Sequence, residues 1–220
     1  MNISELITAH ETAIRMGSFF GVLILMAVWE GLAPRRASTI SRIVRWGNNL
    51  GLVVFNTVLL RLIFPTAAVG VAIFASEHNW GLLNYVQLPS FAVVVISIVV
   101  MDFVIYFQHI LMHAIPVLWR LHRVHHADLD YDFTTGVRFH PLEIIVSMLI
   151  KFAAILMLGP PVIAVLIFEV ILNAMSMFNH GNVKLPAFLD RTLRLLIVTP
   201  DMHRIHHSVE EDESNRNFGF

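Results

Sequence analysis

Apolar positions along this chain come in long unbroken runs, without the strict alternation of a half-buried strand. The run GSFFGVLILMAVWEGL (17–32) predicts a first membrane helix, with Trp29 and Glu30 at its interfacial end. The residues before it, 1–15, carry Glu5 and Glu11 and lack the basic start of a cleavable signal, so they read as a short retained helix. A second apolar stretch runs from Leu50 to Ala75, interrupted by Arg61 and Pro65, and is expected to be broken or partly interfacial. Phe91 to Phe107 forms a third. Ile144–Leu158 and Val162–Phe178 form two more, separated by Gly-Pro-Pro at 159–161, and predict a hairpin that enters the membrane and returns.

Charge sets the expected orientation. Arg35, Arg36, Arg42 and Arg45 crowd the segment after the first run, whereas 76–90 holds neither lysine nor arginine. Basic residues favour the cytoplasmic side of short loops, which places 35–45 inside and 76–90 outside. Counting crossings then puts 108–143 and 179–220 together on the cytoplasmic face. The expected fold is all-α: an integral membrane bundle of about four to five membrane-embedded helices under a cytoplasmic, histidine-rich helical cap. Residues 1–89 supply N-terminal membrane helices and 90–217 the chemistry, within one domain spanning 1–220.

Composition supports this reading. Hydrophobic residues make up 56% and charged residues 14% of the 220 positions, with mean hydropathy +0.70; soluble domains carry about 25% charged residues. A net charge of -1 and a pI near 6.9 argue against nucleic acid as a partner, and the aliphatic content argues against disorder. With no cysteine, thiolate metal sites and thiol nucleophiles are excluded. The acidic run Glu210–Glu213 reads as a solvated loop.

Histidine is the departure from this plain composition. Of twelve, ten fall between His109 and His207. His109 and His113 are four apart, a spacing that turns both rings to one side of a helix. His122, His125 and His126 follow in LHRVHHAD, and His203, His206 and His207 repeat that pattern in DMHRIHHS. His140 lies in RFHPLE and His180 in FNHGN. Neutral imidazole ligates iron, zinc, copper or nickel, and eight to ten such rings exceed what one metal takes, so the arithmetic favours a dinuclear site. His140 precedes Pro141, where a capping role competes with ligation. His10 and His78 are remote and read as structural or solvated. Ligating rings usually donate their second N–H to a fixed partner; Asp102, two turns before His109, is the first candidate, with Asp128, Asp201 and Asn182 beside the motifs. Glu169 and Lys151, near the middles of the last two apolar runs, are expected either to pair within the bundle or to face a functional interior.

These motifs, HxxxH at 109–113, HxxHH at 122–126, FHPLE at 139–143, NHGN at 179–182 and HxxHH at 203–207, resemble the fatty acid hydroxylase and sterol desaturase superfamily over residues 90–217. The resemblance implies a membrane-bound di-iron oxygenase that uses O2 to hydroxylate or desaturate C–H bonds of a lipid such as a sterol or fatty acyl chain. It implies that His109, His113, His122, His125, His126, His203, His206 and His207, with His180 and His140, ligate two iron ions, for which zinc can substitute in purified protein. The partners it implies are a lipid drawn from the bilayer and a cytochrome b5-like or ferredoxin-type electron donor; the positive-inside count fits a bacterial inner membrane and the endoplasmic reticulum alike. Asp102 and Tyr106 fit the family's pattern before the first box. Ile110 stands where relatives often have arginine, and the sequence reaches NRNFGF where relatives continue into an aromatic segment, so it reads as truncated at its C-terminus.

Other classes fit less well. Acyl-lipid desaturases of the separate desaturase family space their first two boxes farther apart than His113 and His122. A metal transporter places ligands near the bilayer midplane, not beyond the helix ends, and a bis-histidine haem protein has no use for HxxHH repeats. A non-catalytic lipid-binding relative would be expected to have lost ligand positions, and none is lost here.

Overall fold

The computed structural model of the chain describes residues 9–219. The helix expected over 1–15 lies partly outside them; from Glu11 onward it is continuous with the first membrane helix, α1 (Glu11–Leu32). At 22 residues and ~1.5 Å per residue, α1 matches a hydrocarbon core about 30 Å thick. Ile24, Leu25 and Leu32 point outward and exposed, as lipid-facing residues do. Five segments are long and apolar enough to cross a membrane.

The second apolar stretch is not one helix. α2 (Arg42–Ile63) ends where Phe64 precedes Pro65, because a residue before proline is pushed out of the helical region. The chain restarts as α3 (Ala68–Glu77), whose Ala68, Val69, Val71, Ala72 and Ala75 are buried against the later helices. After a 3-10 turn at Leu82–Tyr85 comes α4 (Ser90–Ala114), then α5 (Pro116–His126), which Pro116 opens at a position where its missing N–H costs nothing. A loop with a 3-10 turn at Thr135–Val137 leads to α6 (Pro141–Leu158) and α7 (Val162–Asn179). The Gly-Pro-Pro turn between them forms as expected. Gly159 sits at φ +68, and a Cβ there would meet the Trp80 carbonyl at 2.6 Å.

Short helices α8 (Ala187–Leu193), α9 (Pro200–His206) and α10 (Glu211–Ser214) complete the cap. The acidic run is therefore partly one helical turn, not wholly a loop. No strand forms among the described residues, apart from a single bridge between Pro34 and Val183. One core packs Met101, Ile155, Val165 and Phe168 together in the bundle, and a second joins Met26 of α1 to Phe133, Met177 and Val183 beneath the cap.

Polar residues on α2 hold the cap to the bundle. Arg45 lies 2.7 Å from Asp128 and 2.5 Å from Asp132, Asn49 donates to Thr134 at 2.9 Å, and Asn56 donates to the Phe139 carbonyl at 2.9 Å. Glu30, expected at a membrane interface, is instead buried at 1% exposure. One of its oxygens accepts from the Phe133 and Asn182 backbone N–H groups at 2.9 and 2.6 Å. That buried carboxylate ties the segment between α5 and α6, which follows the second histidine box, to the one after α7, which begins at His180.

Candidate metal centre

Nine of the ten clustered histidines converge, in two adjoining groups. His109, His113, His122, His126 and His206 form one; His125, His180, His203 and His207 form the other. Within each group one ring nitrogen per residue lies within 4.8 Å of the rest. The helical spacing explains the sorting. His122 and His126, one turn apart on α5, enter the five-membered group, while His125 faces the four-membered one; on α9, His203 and His206 divide likewise.

Hydrogen bonds fix which nitrogen of most rings faces inward. Nδ1 of His125 contacts the Arg138 carbonyl at 3.1 Å, that of His180 the Ser176 carbonyl at 2.6 Å and that of His203 the Asn217 carbonyl at 3.3 Å. Nδ1 of His206 meets the Arg216 carbonyl and that of His109 the Phe218 carbonyl, both at 2.8 Å. A carbonyl only accepts, so each of these Nδ1 atoms carries the proton and each Nε2 carries a lone pair. Yet Nε2 of His180 lies 2.9 Å from that of His125 and 3.1 Å from that of His203, and Nε2 of His206 lies 3.0 Å from that of His109. Two lone pairs cannot make a hydrogen bond. Nε2 of His113, His122 and His126 is buried without a partner among the described residues.

Burial and repulsion between neighbouring imidazolium charges hold His122, His125, His126, His203, His206 and His207 well below the ordinary histidine pKa; for His180 burial and His125 do the same. The rings are neutral. Neutral nitrogen lone pairs converging in two buried groups of four and five are what a pair of borderline metal cations requires, and the residues present fit such ions.

The partners that orient the rings differ from those expected. Asp128 binds Arg45, Asn49 and Thr135; Asp201 binds Arg35; Asn182 binds the Arg36 backbone; and Asp102 has no hydrogen bond or ion pair among the described residues. None of the four meets a histidine ring, which corrects that expectation. The ring partners are main-chain carbonyls and Glu143, whose carboxylate lies 2.6 Å from His122 Nδ1. Main-chain carbonyls leave no mark in a sequence, whereas Glu143, in the quoted FHPLE, could have been singled out. His140 joins neither group: it is the N-cap of α6, its Nδ1 accepting from the Leu142 N–H at 3.1 Å. His78 stacks on Phe74, far along the chain from these rings.

Tyr131, absent from the sequence reading, packs against His180 and His207 and donates to the Asn179 carbonyl at 2.8 Å. Gly136 lets the 3-10 turn rest on α7, since a Cβ there would run into the Ser176 carbonyl. A cavity of about 330 Å³ opens from the rings into the bundle, lined by His109, His122, His125, His180 and His203 at one end and by Leu60, Ile105, Met148 and Leu172 along its walls.

The sequence profile of the fatty acid hydroxylase family matches residues 94–220, more than half of the chain. This chain belongs to the fatty acid hydroxylase family. With its five apolar helices, this family member is an integral, multi-pass membrane protein. It is 31% identical to the ornithine lipid hydroxylase OlsE of Rhizobium tropici over 162 residues, 71% of this chain and 46% of that protein. It is 29% identical to the alkylglycerol monooxygenase of Homo sapiens over 111 residues, 48% of this chain and 23% of that enzyme. The Xenopus tropicalis alkylglycerol monooxygenase matches at 24% over 145 residues, 63% and 30% of the two chains. The chain thus spans less than half the length of each of these relatives. No solved structure matches it.

Proposed function

We propose that this protein is a membrane-bound lipid oxygenase that hydroxylates a C–H bond of a lipid at a pair of iron ions held by its two histidine groups. The observation that carries this reading is the opposition of ring lone pairs across each group, which a metal cation relieves. His125, His180, His203 and His207 would hold one ion, and His109, His113, His122, His126 and His206 the other. Iron bound there supplies the oxidising power of O2 to an unactivated C–H bond.

The chain's own groups do the rest. Main-chain carbonyls and Glu143 hold the rings with their lone pairs inward. The apolar part of the cavity wall, Leu60, Ile105, Met148 and Leu172, would take a hydrocarbon chain, and a bound chain would keep water from a reactive oxidant. Hydroxylation accords with the relatives, which are named a lipid hydroxylase and a monooxygenase. In this reading the histidine cap faces the cytoplasm, where the arginines at 35–45 also lie, and a cytochrome b5-like or ferredoxin-type protein delivers electrons.

The test is metal content per chain in purified protein, with iron, zinc and copper quantified together beside an optical spectrum. Two irons without a haem band, and lipid product gaining one oxygen atom from O2 when a reductant is supplied, are expected. A chain that binds no metal after reconstitution with ferrous iron overturns the reading.

A further inference from the structure

We propose that Arg15 and Lys151, at the end of the cavity remote from the histidines, form a subsite for the anionic group, carboxylate or phosphate, of a lipid whose chain runs toward the rings. The inference rests on the lipid-oxygenase reading for its substrate, but it stands on separate residues. Glu169 lies eleven residues before His180, and Lys151 eight residues after the Glu143 that binds His122. At ~1.5 Å per residue, helices α6 and α7 therefore set the cluster roughly 12–16 Å from the ring layer. Arg15, Lys151 and Glu169 all line the cavity that the histidines line.

Their ion pairing is lopsided. Lys151 Nζ is 2.9 Å from one oxygen of Glu169, and Arg15 is 2.7 Å from the other. One carboxylate serves two cations. Glu11 also meets Arg15, at 3.1 Å, but from the start of α1 and not from the cavity wall. At this end of the wall two cations face one carboxylate, the wall's other acid, Glu143, lying beside His122, and ionisable side chains within an apolar bundle are costly and mark substrate pathways. Hydrogen-bonding capacity is in surplus too: an ammonium has three N–H donors and a guanidinium five. Among the described residues Lys151 makes one hydrogen bond, and Arg15 bonds through one terminal nitrogen.

Access is open as well. Arg15 is 29% exposed by side chain, and Thr57, exposed on α2, lines the same cavity. Between the cations and the rings Leu60, Ile105, Met148 and Leu172 give the wall its apolar part, with Gln108, Ser147 and Asn173 among them, so an anionic headgroup at one end leaves an alkyl chain spanning to the other. The C–H bond presented to the rings then lies in the chain, two to three helical turns' distance from the headgroup.

The test is binding of palmitate, hexadecyl phosphate and 1-hexadecanol, with acetate and inorganic phosphate as chain-free anions, to protein in uncharged detergent, read by native mass spectrometry. The two anionic lipids are expected to bind at least tenfold more tightly than the alcohol, and the chain-free anions at least tenfold more weakly than the anionic lipids. Lys151→Gln and Arg15→Gln should each abolish the preference while holding 1-hexadecanol as before, and Lys151→Arg should restore it. Melting temperatures identify any variant that fails to fold, and Arg15, the more exposed of the two cations, keeps the test decisive if Lys151→Gln does. Equal binding of all three lipids by the unmodified protein, or an intact preference in both glutamine variants, overturns the proposal. Inorganic phosphate binding as tightly as hexadecyl phosphate overturns it too. The measurement needs no metal, so a preference in protein that takes up no metal on reconstitution with ferrous iron removes the oxygenase reading and keeps the subsite, and iron taken up without a preference does the reverse.

Discussion

His125 and His180 turn their Nε2 atoms toward each other at 2.9 Å although each ring has already spent its N–H on a main-chain carbonyl. Without a cation between them that arrangement is repulsive, so the two rings act as one half of a ligand set. Their group shares no member with the one around His109 and His206. His180→Ala should therefore halve the metal bound per chain, and His206→Ala should halve it by emptying the other group. Elemental analysis of both variants checks this, with His78→Ala unchanged. Full loss in either single variant would mean that the two groups bind metal only together.

The segment 216–218 crosses both groups. Its three consecutive carbonyls accept from His206, His203 and His109, and the Phe218 ring packs edge-on against His109, His113 and His206. Asn217 shapes it, with φ +56 and a side-chain N–H donated to the Met202 carbonyl at 3.0 Å. Left-handed backbone costs an ordinary residue roughly 1–2 kcal/mol. Asn217→Ala should thus misplace three ring partners at once and weaken metal binding by about 10–100-fold, the usual cost of losing such outer contacts. Asn217→Gly, which tolerates the backbone but lacks the donor, should fall between. Metal competition with a chelator measures both. An alanine variant as tight as the unmodified chain would show that the segment merely covers the site.

Much of this was legible in the sequence because helical spacing is a physical ruler. HxxHH places rings on one side of a helix whatever it packs against, so the convergence of the three histidine boxes could be expected from spacing, and that of His180 from its place at the end of the last apolar run. Pro65 and Gly159 announced the break after α2 and the turn before α7, because each restricts or frees φ in a way other residues do not. The partners of the rings were hidden for the opposite reason. A carbonyl of Arg138, Ser176 or Phe218 belongs to the backbone, and nothing in those residue names marks it as an acceptor. Asp128 was misread since a carboxylate beside a histidine motif looks like its partner, when a guanidinium 83 residues away claims it. Glu30 was misread because its depth depends on the cap folding over it.

Glu30 gives a stability prediction. One oxygen accepts both the Phe133 and Asn182 N–H groups in a buried site. Glu30→Gln keeps an acceptor there and should cost little. Glu30→Leu leaves two buried donors unmet, at roughly 1–3 kcal/mol each, and should lower the melting temperature and loosen the cap. Equal melting temperatures for the two variants, measured in the same detergent, would rule out this anchoring role.

Acid should unfold the metal-free protein from the cap outward. Burial holds His122, His125, His180, His203 and His207 far below the ordinary value of about 6.5 that they regain on unfolding. Below about pH 6.5 these rings bind more protons in the unfolded chain than in the folded one, so their contribution to stability falls as pH falls; above it they are neutral in both states and the contribution is complete. Several rings act together, so the decline should be steep, each pKa unit of difference being worth about 1.4 kcal/mol per group. Bound metal competes with those protons, so the loaded protein should hold its melting temperature to lower pH than the metal-free one. Melting curves between pH 5 and 8, with and without metal, decide the matter. A metal-free protein equally stable across that range would mean that the rings are not buried neutral, and that the opposed lone pairs are not those of the folded chain.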